Sequence, residues 1–220
     1  MKFSLEWLKY FLETDPRRAQ EKLEARKSRY VLVSPMLSEL ALMLKHTEEP
    51  LESFIGQSPD GAPLITALWS QTMNTRLHHF DGRRVMIEGR PHPPLRRMRL
   101  VYEGQTRTRE LGKDLSYCKI FERVQGANLT GSANPGSTLE LSVTVHTNLG
   151  RRYNYRDSTV VDKEGRFHFR VPYATGGNPD GVKVGQYTIT SGDGVSQSIS
   201  IPEPQILEGT TITIQGLEPS

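Results

Sequence analysis

The feature that most constrains this chain is a change in the period of its apolar residues. It falls in the stretch from Tyr117 to Gly131. Before that stretch apolar residues recur mostly at helical spacing. After it Leu139, Leu141, Val143 and Val145 alternate with Glu140, Ser142, Thr144 and His146, so one face meets a core and the other meets water. A change of period from about 3.6 residues to about 2 separates two packing units. The predicted fold class is α+β: a mixed, helix-rich α/β core unit over residues 1–118, then an antiparallel β-sandwich or barrel-like unit over 119–220.

Within the first unit, Ser4 can cap a short amphipathic helix carrying Leu5, Leu8, Phe11 and Leu12. Thr14-Asp15-Pro16 starts a second helix with Ala19 and Leu23 inward. Tyr30 to Val33 reads as a buried strand, and Ser34-Pro35 opens a helix to about Lys45. A loop with one helical turn at Leu51 to Ile55 follows, then a helix from Pro63 that fades near Leu77. Val85 to Ile87 is expected to pair with Met98 to Tyr102 across a proline loop. In the second unit Tyr153 with Tyr155, Phe167 through Val171, Tyr187 with Ile189, Ile199 with Ile201 and Ile212 with Ile214 continue the alternation between glycine- and aspartate-bearing turns.

Composition excludes several classes of function. No window approaches the roughly 18 consecutive apolar residues of a membrane helix, so the chain as given is expected to be soluble, and Glu6 and Lys9 interrupt any export signal. One cysteine, Cys118, excludes an internal disulfide and a cysteine-rich zinc site, and is expected to be a small buried hydrophobe. The arginines at 83, 84, 90, 96, 97 and 99 could meet phosphates, but no aromatic platform is interleaved with them. The preferred reading is a solvated loop flank with no nucleic-acid partner. His78-His79 invites a metal reading, yet adjacent histidines on a regular element point apart and no third ligand has a diagnostic spacing, so no metal residue is assigned. There is no phosphate-cradling glycine loop, no His-Glu-x-x-His and no nucleophile elbow. Catalytic residues and cofactors are therefore expected to be none in this chain.

Several collinear stretches carry a family likeness. Phe11-Leu-Glu-Thr-Asp-Pro-Arg-Arg-Ala, Arg29-Tyr-Val-Leu-Val, Leu77-His-His-Phe-Asp-Gly, Met98-Arg-Leu-Val-Tyr-Glu, Lys119-Ile-Phe-Glu-Arg-Val-Gln-Gly-Ala and Val171-Pro-Tyr-Ala-Thr resemble the C-terminal soluble region of archaeal oligosaccharyltransferases, the AglB proteins. The resemblance implies part of a membrane enzyme that transfers an oligosaccharide from a dolichyl phosphate carrier to the asparagine of Asn-x-Ser/Thr. It implies work at the extracytoplasmic face, with Mg or Mn bound by a transmembrane portion that this chain lacks. The implied partners are the acceptor polypeptide, that transmembrane portion and, through it, the lipid-linked oligosaccharide. The family's Trp-Trp-Asp motif is missing, since Trp7 and Trp69 are isolated, and the chain is expected to begin after it.

The resemblance places an acceptor-contacting helical motif after Tyr30 to Val33. There Met36 could stand for the family's methionine, with Glu39 and Met43 departing from the pattern. Met36, Leu40 and Met43 are the acceptor-contact candidates; read from spacing alone, a core-facing helical stripe is the preferred reading of the three. Asn128-Leu129-Thr130 is itself a sequon, making Asn128 a possible glycosylation acceptor. The alternative function is a free-standing, non-catalytic binding or surface module.

Overall fold

The computed structural model describes residues 10–35, 50–60, 63–110, 112–177 and 181–215. Helix α1 (Pro16–Ala25) starts as expected: the Asp15 side chain accepts from the Arg17 N–H at 2.8 Å, and proline occupies a position whose N–H would go unused. Ala19 and Leu23 are buried. The helix ends in paired bonds, Ser28 N–H to Leu23 O and Lys27 N–H to Glu24 O, with Lys27 left-handed at φ 54°.

Strand β1 (Tyr30–Val33) buries only Val31 and Val33, while Tyr30 and Leu32 face outward. It is an edge strand, not the fully buried one that its apolar run suggested. A short 3-10 turn (Leu51–Ser53) leads into hairpin β2 (Ile55–Gln57) and β3 (Pro63–Ile65), so Pro63 opens a strand where a helix was expected. Helix α2 (Ala67–Gln71) and helix α3 (Met73–His78) are separate. Thr72 leaves helical geometry at ψ 148°, and its hydroxyl accepts from Thr75 N–H to cap the second helix.

Strand β4 (Val85–Ile87) pairs with β5 (Arg90–His92), and not with the segment around Leu100. Glu88 and Gly89 both have positive φ, which makes a two-residue turn of the type whose twist suits a hairpin. Strand β6 (Met98–Glu103) pairs instead with β9 (Lys119–Arg123), reached through the projecting hairpin β7 (Arg107–Glu110) and β8 (Lys113–Ser116). The sheet order is β1-β9-β6, with buried Val31, Phe121 and Leu100 in one row across it. Lys119 to Arg123 is thus the central strand of the first sheet, and the chain changes sheet only between Arg123 and Ala127.

The second half is a sandwich of two sheets. Strand β10 (Ala127–Ser132) lies centrally in one; β11 (Thr138–His146) is central in the other and pairs along its length with β12 (Arg152–Val160). Strand β13 (Arg166–Val171) is antiparallel to β10. The short β14 (Gly176–Gly177) and β15 (Lys183–Val184), then β16 (Tyr187–Ser191) and β17 (Ser196–Ile199), complete the larger sheet. Helix α4 (Glu203–Glu208) crosses back, and β18 (Thr211–Ile214) joins β10 in parallel, the one parallel pairing among the described residues. Leu139, Leu141, Val143 and Val145 face the core together with Leu129, Phe167, Phe169 and Val171. This interior is continuous with that of the first half, since Leu23, Trp69, Phe121, Leu129 and Tyr187 belong to one cluster of buried side chains.

Candidate functional site

Met36, Leu40 and Met43 lie outside the described residues, as does the helix expected from Pro35. What is fixed is the entrance to that segment. Strand β1 delivers it from the edge of the first sheet, where Ser34 O accepts from the Asn74 side chain at 3.3 Å.

Asn128 sits on β10 between both partner strands. Its carboxamide nitrogen donates to Gly209 O at 2.8 Å, and its oxygen accepts from Arg170 Nε at 3.1 Å and lies 3.1 Å from His168 Nε2. The amide that glycosylation would modify is engaged in the folded sheet.

The densest polar assembly lies where the two halves meet. After α3 the chain reverses through Asp81 and Gly82, both at positive φ, with Asp81 N–H bonded to Leu77 O and Gly82 N–H to Arg76 O. This turn aims the Asp81 carboxylate inward. Lys119 on β9 donates to it at 2.7 Å and to His78 O at 2.6 Å. Arg151, from the turn between β11 and β12, grips it with two bonds of 2.8 Å and reaches Glu103 as well. In the same turn the Asn148 side chain exchanges two bonds of 2.8 Å with the Glu103 backbone. Burial alone would raise the Asp81 carboxyl, but Lys119 and Arg151 together hold it below the usual carboxylate range, so this is an ionised, satisfied knot.

The arginine-rich region is spent in the same way. Arg96 makes a bidentate pair with buried Asp157 on β12, Arg97 meets Glu24 on α1, and Arg99 joins Glu122 and Glu203. These side chains clamp elements together: Arg99 is buried, Arg96 and Arg97 keep part of their side chains in solvent, and Arg84 and Arg90 are exposed as a loop flank would be. Cys118 is half-buried.

A second cluster adjoins the knot. The rings of His78 and His79 do not diverge: their centroids are 5.4 Å apart, and hairpin β7–β8 brings Glu110 to both. His79 Nε2 is 2.6 Å from Glu110 Oε2, and His78 Nδ1 is 3.9 Å from the same oxygen. One ligand-type atom from each residue lies within 4.8 Å of the others, and all three side chains are buried. His78 Nε2 lies 2.9 Å from Ser116 O, a carbonyl that can only accept, so Nε2 carries the proton and Nδ1 is bare. Burial, with the charge of Lys119, pushes the His78 imidazole down to about 4, keeping it neutral. Spacing along the sequence gave no sign of Glu110, because a hairpin 31 residues away supplies it.

Among the described residues no helix is long and apolar enough to cross a membrane. Residues 126–212 match the family of the archaeal glycosylation protein B long peripheral domain. A dolichyl-phosphooligosaccharide-protein glycotransferase 3 of Archaeoglobus fulgidus is 33% identical over 99 residues, covering 44% of this chain and 11% of the relative. An AglB oligosaccharyltransferase of Archaeoglobus fulgidus, solved with an inhibitory peptide and a dolichol-phosphate, superimposes with a TM-score of 0.77 at 20% identity, over 97% of this chain and 33% of that one. An oligosaccharyltransferase from the same organism, solved with Zn and sulfate, gives a TM-score of 0.74 at 20% identity over 94% and 36%. The chain thus spans about one-tenth of the curated relative and about one-third of the solved ones.

Proposed function

We propose, from the premise that residues 126–212 belong to the archaeal glycosylation protein B long peripheral domain family, that the chain is the extracytoplasmic C-terminal part of an oligosaccharyltransferase. In this reading it contributes to recognition of the Asn-x-Ser/Thr acceptor. The family match is the observation that carries the reading; the fold likeness over nearly the whole chain supports extending it to the first half.

The division of labour follows from the residues. Dolichyl-linked oligosaccharide, a divalent Mg or Mn ion and the transfer step belong to a membrane portion joined to this chain. The chain supplies a rigid body that carries the acceptor-contacting segment after β1. Met36, Leu40 and Met43 on that segment offer an apolar contact for the threonine methyl. Partial burial of one methyl favours Thr over Ser by about 0.5 kcal/mol. The locked knot of Asp81, Glu103, Lys119 and Arg151 ties the turn after α3, β6, β9 and the β11–β12 turn together.

The experiment is a transfer assay with dolichyl-linked oligosaccharide, Mn2+ and an Asn-x-Thr peptide. Glycopeptide is expected from the intact membrane protein that includes this chain, and none from the 220-residue chain alone. Turnover by the isolated chain, or its absence from the intact protein, contradicts the proposal.

A further inference from the structure

We propose that His78, His79 and Glu110 form a zinc site that fastens helix α3 to the hairpin β7–β8. The argument begins with an unpartnered atom. His78 Nδ1 is buried without a hydrogen-bond partner, and a buried bare nitrogen costs free energy unless something meets it. Its lone pair belongs to the cluster in which Glu110 Oε2 lies 3.9 Å away. At 3.9 Å the Glu110 carboxylate is outside hydrogen-bonding distance of Nδ1.

A metal ion satisfies all three groups at once. The Nε2–H of His78 is already anchored on Ser116 O at 2.9 Å. That is the outer contact that fixes the tautomer and orientation of a metal-binding imidazole. Tetrahedral zinc with bonds of about 2.0–2.1 Å holds its ligand atoms about 3.3 Å apart. His79 and Glu110, now 2.6 Å apart, would open by a fraction of an ångström, and His78 would close on Glu110 by a similar amount.

Two imidazoles and a carboxylate suit zinc, whereas magnesium and calcium favour oxygen ligands. Three protein ligands leave the fourth position for a water. The charge that meets the ion is that of Glu110 itself, because the neighbouring Asp81 and Glu103 carboxylates are already balanced by Lys119 and Arg151. The hairpin has reason to need the ion. Strands β7 and β8 form a two-stranded sheet apart from the others, an arrangement that is marginal on its own. Ser116 Oγ, which donates to Gly104 O, and Lys113, 4.7 Å from the Phe80 ring, also tie it down.

The test uses the full 220-residue chain, stripped with chelator and titrated with CoCl2 and then ZnCl2. One cobalt per chain should bind with visible d–d bands that zinc abolishes. Glu110→Gln and His79→Gln should each weaken zinc binding at least about tenfold, the loss expected even for an outer-shell partner. His146→Gln, on an exposed strand end, should leave it unchanged. In the unaltered chain one equivalent of zinc should move the His78 imidazole resonances, a readout that does not depend on any variant folding. Unmoved His78 resonances, substoichiometric cobalt, or zinc affinity indifferent to Glu110→Gln and His79→Gln would overturn the site.

Discussion

Gly131 lies where β10 is flanked on both sides, and a Cβ there would sit 2.6 Å from Ile214 O and 2.7 Å from Phe167 Cζ. Neither neighbour can yield without breaking a strand pairing or moving a core ring, so Gly131→Ala should destabilise the chain by about 1–3 kcal/mol, read from denaturant midpoints. Lys27 is the opposite case. It holds the left-handed position that ends α1, and a lysine there carries strain that glycine does not. Lys27→Gly should stabilise by about 0.5–1 kcal/mol after the added freedom of the unfolded chain is subtracted. Both positions differ in how far the sequence discloses them. Asp15-Pro16 announced where α1 begins, but its end uses a lysine where glycine is the usual signal. Likewise the β4–β5 hairpin turns on Glu88-Gly89, outside the Asn-Gly and Asp-Gly pairs that mark such turns, so the sequence pattern alone pairs Val85 to Ile87 with Met98 to Tyr102 and misses β5.

Strands and helices were legible where one face is buried and the other wet. The alternation along β11, β12 and β13 shows directly in the burial of Leu139 through Val145, Tyr153, Tyr155, Phe167 and Phe169. What joins the elements was not legible, because the partners are far apart in sequence. Arg151 reaches Asp81 across 70 residues and Arg99 reaches Glu203 across 104. Removing Arg151 as Arg151→Met leaves two buried carboxylates facing Lys119, with the half-exposed Arg83 3.8 Å from Asp81 as the other cation. A cost of about 3–5 kcal/mol is expected in equilibrium unfolding, partly recovered in the double variant with Asp81→Asn. The pair of Glu203 with Arg99 gives a pH signature. The bond from Arg99 holds the Glu203 carboxyl below its ordinary value of 4.5. The folded state therefore binds that proton more weakly than the unfolded state does. The stabilisation is present above about 4.5 and is lost as pH falls through the folded value. Glu203→Gln should be less stable than the parent at neutral pH, with the gap closing in acid, as followed by urea denaturation across that window.

For the molecule as a whole, the chain passes from a helix-flanked three-stranded sheet to a two-sheet sandwich, and Lys119 to Arg123 completes the first sheet before the chain crosses at Gly126. At Gly126 φ is +76° and a Cβ would sit 3.0 Å from Arg96 O, so the crossing has no room for a side chain. Of the collinear stretches that carry the likeness to oligosaccharyltransferases, Val171 to Thr175 and the end of Lys119 to Ala127 fall inside the family match over 126–212, while the earlier ones lie in the part for which only the fold is shared. The proposed acceptor contacts are Met36, Leu40 and Met43, which follow the edge strand β1 in the chain. The most direct measurement is therefore titration of the chain, labelled at its methionine methyl groups, with an Asn-x-Thr peptide, an Asn-x-Ser peptide and a scrambled control. Acceptor recognition predicts that the Met36 and Met43 methyl signals shift with the sequon peptides, more with Thr than with Ser, and stay in place with the scrambled one. Equal responses to sequon and scrambled peptides would contradict it.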